Sequence, residues 1–509
     1  MKVTIAEKLS AAKERIEERL NGECRGGYAT PMFSAANIRY EIAEKVRGVG
    51  VGGIGAIHEL ARRSGLIAAI DRRVQVLKIH LPYHESGHVL NLASNAMCEG
   101  VRLEDIELRR NDEVFLDALG AARIPDPTTA GDFCRRFRVG DLDALQDAFD
   151  DARLNVWKRQ PKKFFRRATI DLDGTLLITT GECKEGMDIS YKGTWGYHPL
   201  VVSLAETGEV LRLVNRPGNR PSHEGAAAAA DRAAALCRRA GFRKIVLRGD
   251  TAFSQSERLD GWDAEGVTFY CGFKAAPNLK EIADDLPEKA GKKLARPAKY
   301  EVRTAPRAKP ENVKRRVVRE REFETLRLQS EELAEFDYRP TACKKTYRMA
   351  VIRKNISHEK GDVRRFDEIL YFFYITNDRA CEKEDVVFES NDRCNQENLI
   401  AQLAGGVRAL CAPVDNLESN WAYMVMAALA WNLKAWFALW PREEGGGNSR
   451  EKCRREKQHV LRMEFRTFVG AFIKVPCQIV RGARQLVYRV LNYQPQMPVF
   501  FRLCAAWHC

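Results

Sequence analysis

One stretch near the carboxyl end constrains the fold more than any other, because its side chains must leave water. Residues 421–440, WAYMVMAALAWNLKAWFALW, form a run of 20 residues with one charge, Lys434. A run of this length can span a bilayer. It contains Asn432 and Lys434, however, and Glu418 and Glu443 lie close by, so the sequence favours a buried core helix. We therefore expect a protein without a membrane partner, whose core encloses a whole hydrophobic helix.

Length and composition are consistent with such a core. The 509 residues are 45% hydrophobic and 30% charged, which excludes a disordered chain and a polytopic membrane protein. Lys and Arg outnumber Asp and Glu by 83 to 69, so the formal net charge is +14. A basic excess of this size favours a polyanionic partner, most often nucleic acid, although some enzymes of small metabolites are also basic.

The cysteines and the amino terminus indicate the compartment. The 14 cysteines are scattered and contain no CxxC pair, which favours reduced thiols over a zinc ribbon or a disulfide framework. The opening MKVTIAEKLSAAKERIEERL is a charged amphipathic helix without the apolar core of a signal peptide. We therefore expect a cytoplasmic protein.

Changes of pattern divide the chain into parts. Helical periodicity gives way to strand alternation after the basic run KRQPKKFFRR, and a Lys- and Arg-rich stretch interrupts that alternation before ILYFFYITN restores it. We predict five regions: a helical amino-terminal region (1–157), the first part of an α/β core (158–275), a β-rich basic insertion (276–367), the second part of the core (368–441), and a carboxyl-terminal region (442–509).

Two acidic positions stand at the ends of predicted strands. In IDLDGT, alternation puts Asp171 and Asp173 on the same face of a strand. Asp250 ends the apolar strand KIVLRGD, where an unpaired buried carboxylate costs several kcal/mol. The alternative role for Asp250 is the N-cap of the helix that follows it.

A third acid, Glu397, lies on a helix predicted from about 392 to 409, at the margin of its apolar stripe. The alternative is a surface pair with Arg393, four residues earlier. Two carboxylates on neighbouring strands and one on a helix can instead converge on two Mg²⁺ ions. Such ions prefer oxygen ligands and can clamp the attacking and leaving oxygens of a phosphodiester.

The order of these elements resembles a known family. Three strands, a helix, a strand, a helix and a strand, then a late helix with a glutamate, resemble the RNase H-like core. IDLDGT, LRGDTAFS and RCNQENLIAQL resemble the three acidic motifs of insertion-sequence DDE transposases. The branch most similar has a β-rich insertion before the last acid and a Y-x2-R-x3-E-x6-K signature. The resemblance runs from about 125 to 441.

The resemblance implies a site. Asp173, Asp250 and Glu397 would be the catalytic, metal-binding triad for two Mg²⁺ ions, with Mn²⁺ as a substitute, and Arg393 would contact DNA near the scissile phosphate. Asp173 is preferred to Asp171 as the first acid because a small residue and a threonine follow it, as in the family motif. Asp171 stays open as an alternative.

Two positions depart from the family signature. Ser390 stands at the tyrosine position and Ala404 at the lysine position, so their phosphate contacts are missing or come from elsewhere, for which Lys274 is the candidate. These departures keep an inactive DNA-binding derivative open as an alternative. An RNase H-like nuclease without strand transfer is a further one.

The resemblance also implies a function. We expect a cut-and-paste transposase of a bacterial insertion sequence, associated with the nucleoid. It would bind terminal inverted repeats and target double-stranded DNA, and act as a homodimer in a synaptic complex. The basic run at 158–167 and the insertion are expected to form the walls of a DNA channel around the acids.

Two other motifs give weaker evidence of function than the acids do. The glycines in 50–55 match GxGxxG, with Asp71 at the spacing of a ribose-binding acid, but the preceding stretch is charged and helical in pattern. We interpret them as a flexible hinge between helices. His80, His84 and His88 recur every fourth residue but lack a clear complete ligand set, which disfavours a zinc site.

Overall fold

The structure is a computed structural model. It describes residues 4–21, 35, 38–42, 46–80, 82–287, 290–296, 311–443, 447–482 and 485–506.

The α-helices of the described residues are α1 (Ile5–Asn21), α2 (Ile54–Arg63), α3 (Leu66–Arg73), α4 (Glu85–Met97), α5 (Ile106–Arg110), α6 (Glu113–Leu119), α7 (Pro127–Cys134), α8 (Val139–Trp157), α9 (Ala226–Ala240), α10 (Ser256–Ala264), α11 (Pro277–Asp284), α12 (Val313–Glu320), α13 (Lys383–Asn391), α14 (Cys394–Ala401), α15 (Leu417–Leu439), α16 (Gly447–Arg462), α17 (Phe465–Phe468) and α18 (Met497–Ala505). Short 3₁₀ turns lie at Leu103–Asp105, Phe164–Arg166 and Thr251–Phe253, and π-helical turns at Gln402–Gly406 and Val469–Ile473.

The strands are β1 (Gly48–Val49), β2 (Arg167–Gly174), β3 (Leu177–Ile178), β4 (Asp188–Ile189), β5 (Trp195–Tyr197), β6 (Leu200–Leu204), β7 (Glu209–Val214), β8 (Lys244–Gly249), β9 (Val267–Phe273), β10 (Lys292–Lys293), β11 (Glu324–Tyr338), β12 (Tyr347–Lys360), β13 (Val363–Thr376), β14 (Cys477–Arg481) and β15 (Leu486–Val490).

One sheet of nine strands organises the molecule, in the order β10-β11-β12-β13-β9-β8-β2-β6-β7. Strands β2, β8 and β9 are parallel, whereas β6 is antiparallel to β2 and β13 is antiparallel to β9. The parallel strands are apolar along most of their length because helices cover them. The prediction of an α/β protein with a large mixed sheet is confirmed.

The elements around the parallel strands follow from local sequence signals. Strands β6 and β7 form the hairpin that ETG predicts, and Gly208 in its turn has a φ of 70°. The Ala-rich helix α9 crosses from β7 to β8 and ends at Gly241, whose φ of 93° is the left-handed C-cap that glycine adopts without strain. This crossover makes β8 parallel to β2 and thereby directs their carboxyl ends to the same edge of the sheet.

The predicted insertion continues this sheet. Strands β11, β12 and β13 form an antiparallel unit, and β13 pairs with the core strand β9. The expected boundary between 367 and 368 falls inside β13, because ILYFFYITN is the second half of one strand of 14 residues. The first seven residues of β13 are exposed, and the strand becomes buried only towards its pairing with β9.

The hydrophobic run at 421–440 lies in the core, as predicted. Helix α15 is long and apolar enough to cross a membrane, and its side chains from Ser419 to Leu439 are buried inside the protein. The helix packs against β7 and against α4, α8 and α16. It therefore joins the amino-terminal helices, the sheet and the carboxyl-terminal region.

The glycines at 50–55 do not form a flexible hinge, and that interpretation is wrong. The amide nitrogens of Gly52 and Gly53 donate to the carbonyl oxygens of Val475 (2.9 Å) and Ile473 (3.1 Å), and β1 pairs with β14. A Cβ on Gly53 would overlap the carbonyl oxygen of Phe472. These glycines allow close packing between two distant parts of the chain, so the segment is held firmly and does not match a dinucleotide loop.

Candidate active site

Two of the predicted acids lie side by side at the carboxyl edge of the parallel strands. The register of β2 and β8 pairs Leu172 with Gly249, so Asp173 and Asp250 are the next residues on the two strands. Strands within a sheet are about 4.8 Å apart, which places the two carboxylates next to each other. The crossover through α9, rather than any feature of either motif, creates this pairing.

Asp171 faces a different partner. Its carboxylate accepts two hydrogen bonds from the Arg248 guanidinium, at 2.6 Å from Nε and 2.9 Å from Nη2. Both side chains are buried, and the arginine also donates to the carbonyl oxygen of Glu389 (3.2 Å). Both oxygens of Asp171 are therefore engaged in a buried ion pair, whereas Asp173 lies at the edge of the sheet. In the sequence, the one hint of the Asp171–Arg248 pair is the arginine that follows the apolar residues of KIVLRGD.

Asp173 is the most perturbed of the three acids. Its side chain is 15% exposed, its Oδ1 accepts a hydrogen bond from the Gly174 amide (2.8 Å), and its Oδ2 lies 3.4 Å from Arg393 Nη1. Burial raises the pKa of Asp173 to about 6; Arg393 opposes that rise, whereas the charges of Asp250 and Glu397 add to it. The three predicted acids are therefore close enough to act on one another electrostatically.

Asp250 also has the alternative role considered from the sequence. It is the N-cap of the 3₁₀ turn Thr251–Phe253, and its Oδ1 accepts a hydrogen bond from the Ala252 amide (2.8 Å). This bond fixes the side chain at the end of β8 and uses one carboxylate oxygen.

Glu397 reaches the site because α14 packs on the sheet. Its neighbour Gln396 is buried, donates from Nε2 to the Val201 carbonyl oxygen (3.0 Å) and accepts from the Ser203 hydroxyl. These bonds attach α14 to β6, so the exposed Glu397 lies beside the end of β2. The predicted single helix from 392 to 409 is interrupted: α14 begins at Cys394, and the π-helical turn follows it.

The predicted DNA contacts lie at the same edge. Arg393 caps α14 and pairs with Asp173 rather than forming the alternative surface pair with Glu397. Lys274 is exposed and directly follows β9, whose Cys271 is level with Gly249 at the end of β8. At the two positions that depart from the family signature, Ser390 is buried and Ala404 is exposed.

The donor chemistry of the acids suits divalent cations. Carboxylate oxygens are the ligands that Mg²⁺ and Mn²⁺ prefer, and three carboxylates share this edge. Within the described residues, however, no three His, Cys, Asp or Glu side chains are already arranged as a metal-binding group. The chemistry of the three carboxylates therefore suits a cation, whereas their arrangement within the described residues does not form a ready metal site, and the Arg393 guanidinium lies 3.4 Å from Asp173.

The basic run at 158–167 is not at this edge. It leads into Arg167, the first residue of β2, which pairs with Lys244 at the start of β8. The run lies at the start of β2, whereas the acids lie at its end, on the opposite edge of the sheet. The prediction that the run forms a channel wall around the acids is therefore wrong.

The three histidines do not converge. His88 is buried and stacks on Phe133 with ring centroids 4.2 Å apart, and burial lowers its pKa to about 4. His80 stacks on His84 and lies 3.1 Å from Glu85. Of the three, only His88 lies within a helix, α4, and its burial against Phe133 makes it a core residue.

The comparisons with known proteins agree with the acidic motifs. The family described as "Transposase DDE domain group 1" matches residues 48–507, most of the chain, and the chain belongs to this family of DDE transposases. No curated protein matches it. Among solved structures, it is similar to the piggyBac transposase in a synaptic complex with hairpin DNA. The TM-score is 0.37 and the identity 10%, over 83% of this chain and 82% of that one. The predicted resemblance to DDE transposases is confirmed.

Proposed function

We propose that this transposase cuts and joins DNA by phosphoryl transfer at the edge formed by Asp173, Asp250 and Glu397. The observation that carries this proposal is the parallel register of β2 and β8, which makes the first two acids neighbours although 77 residues separate them. The order β7-β6-β2-β8-β9, with β6 antiparallel, supports an RNase H-like arrangement of this core.

The three carboxylates would hold the divalent cations, Mg²⁺ or in its place Mn²⁺. Bound there, two cations supply a polarised nucleophile and charge stabilisation for the leaving oxygen. The side chains of this chain do the rest: Arg393 and Lys274 contact phosphate oxygens near the cut, and the Asp250 cap keeps its carboxylate in place.

The wider assignment follows the same proposal. The element is an insertion sequence moved by cut-and-paste in the bacterial cytoplasm, at the nucleoid. The helical region at 1–157 binds the terminal inverted repeats, and the carboxyl-terminal region supports a homodimer that holds two ends and the target DNA together.

Cleavage of a duplex that carries an element end tests the site. With Mg²⁺ or Mn²⁺, the wild type should nick this duplex, and Asp250→Asn should abolish nicking while leaving DNA binding intact. Glu257→Gln, an exposed acid on the following helix, is the matched control and should nick normally. Undiminished nicking by Asp250→Asn would show that the triad is misassigned.

An inactive DNA-binding derivative is the second candidate, favoured by one observation. The residues at the signature tyrosine and lysine positions, Ser390 and Ala404, cannot supply the phosphate contacts of those side chains. The same assay separates the two: this candidate predicts binding of end-containing DNA without nicking at any cation concentration. A nuclease that never transposes would nick but give no strand-transfer product.

A further inference from the structure

Two basic segments that are distant in sequence meet at the amino edge of the sheet, opposite the acids. The run at 158–167 contains six Lys or Arg and no acid, and α16 contains six Lys or Arg and two acids. They face each other across a cavity of about 570 Å³, lined by Lys163 and Arg166 on one side and by Arg450 and Arg454 on the other. We call these two segments together the amino-edge basic surface.

The cations of the run are available to a ligand. Lys158, Lys162, Lys163 and Arg166 are exposed, and within the described residues none of them has an acidic partner in ion-pair range. A cluster of four unneutralised cations repels itself, so an anionic partner would stabilise it.

The acids in the cavity are already engaged. Glu443 pairs with Lys457 (3.0 Å) and lies 3.7 Å from Arg454. Glu206 accepts hydrogen bonds from the Thr169 amide at 3.0 and 3.1 Å. Neither carboxylate is therefore free to repel an approaching phosphate at full strength.

A rigid base supports the run. Phe164 and Phe165 stack edge to face (5.1 Å), and both contact Phe242 (5.3 Å each). Trp157, at the end of α8, closes this aromatic cluster. Because the backbone is fixed, binding at the cations does not add the entropic cost of ordering the backbone, which favours contact with a regular charged ligand.

The surface is far from the cleavage site. Arg167 and Gly174 are the two ends of β2, and seven steps of about 3.3 Å separate them by about 23 Å. That is the length of about seven base pairs. A short duplex engaged by the acids at one edge of the sheet therefore cannot touch the other edge.

We propose that the amino-edge basic surface binds the sugar–phosphate backbone of a second DNA duplex while the acids engage the first. This inference rests on the proposed function, which supplies the first duplex. The surface would contact the phosphates of the second duplex and not its bases. The exposed groups of the run are cations, and its aromatic rings are used for packing within the protein.

A two-duplex capture assay tests the proposal. The protein is first loaded with a labelled end-containing hairpin whose stem has about six base pairs, about 20 Å, and is therefore shorter than the distance between the two edges. Binding of a second duplex with a different label is then measured by energy transfer at several salt concentrations. The variants are Lys163→Glu with Arg166→Glu, and the control is Lys192→Glu with Arg239→Glu, two exposed cations outside the insertion and outside the amino-edge basic surface that make the same change in net charge.

The first variant should capture the second duplex at least about tenfold more weakly, with a salt dependence reduced by about 2 in log–log slope. Its nicking of the first duplex should stay unchanged, and Lys163→Arg with Arg166→Lys should restore capture. Equal weakening by the control, or joint loss of capture and of first-duplex binding, would overturn the proposal. Wild-type protein that nicks but captures one duplex only would overturn it too, while leaving the proposed function intact.

Discussion

Lys434 offers a quantitative test of the core. It is the one charge in the hydrophobic run, its side chain is 1% exposed, and its Nζ donates to the Leu461 carbonyl oxygen (2.9 Å) above the Trp431 ring (3.9 Å). Burial lowers its pKa from 10.5 to about 7. The folded protein therefore accepts a proton here far less readily than the unfolded chain does.

The sign and size of the effect follow from linkage. Below pH 7 the lysine is charged in both states, and the folded state carries the whole cost of burying that charge, about 5 kcal/mol. Between pH 7 and 10.5 the unfolded chain holds a proton that the folded protein has lost, so the free energy of unfolding rises with pH. From about pH 6 to about pH 9 this single group should add about 3 kcal/mol.

Lys434→Met should remove this dependence. Chemical denaturation at several pH values gives the free energy of unfolding for the wild type, for Lys434→Met and for the exposed control Lys452→Met on α16. The wild-type and control curves should rise together, and the Lys434→Met curve should lie higher at pH 6 and rise about 3 kcal/mol less. Loss of the bond to Leu461 shifts that curve without changing its slope. Parallel curves for all three proteins would refute the argument.

Three further outcomes are expected. Asp171→Asn should lower the free energy of unfolding by about 3 kcal/mol, because it leaves the buried Arg248 with only the more distant carboxylate of Glu389 at 3.9 Å, as urea denaturation would show. Asp173→Asn should not destabilise the protein, yet it should abolish nicking; a large loss of stability would make Asp173 structural as well. Gly53→Ala should lower the melting temperature by several degrees, because its Cβ meets the Phe472 carbonyl, whereas Gly50→Ala, with open space around it, should not.

The acidic motifs could be recognised from the sequence because each consists of a few consecutive residues. An acid at the end of an apolar strand, as in KIVLRGD, is rare enough to be noticed, and the family comparison confirms that the chain is a DDE transposase. What the pattern left open was the choice between Asp171 and Asp173, which share a strand face. In the structure the Arg248 guanidinium engages both oxygens of Asp171 and leaves Asp173 at the edge, which favours Asp173 as the first acid.

Other expectations failed because they depended on distant contacts. The glycines at 50–55 looked like a hinge until the segment at 472–477 was seen packed against them. The insertion looked like a separate module, but β13 is one strand that pairs with β9. In each case the partner lies more than 90 residues away along the chain, and periodicity carries no information at that range.

The sequence by itself determined that a hydrophobic helix had to be enclosed, that strands alternate with helices, and that carboxylates stand at the ends of strands. Each of these follows from spacing along a few residues. Only the tertiary structure decided which strand ends meet. The parallel crossover from β2 to β8 brings Asp173 beside Asp250, and the same strand direction carries the basic run at 158–167 to the opposite edge. The basic residues behind the net charge of +14 are therefore not gathered around the acids alone. The direction of the strands, and not the charge of the side chains, decides at which edge each residue lies.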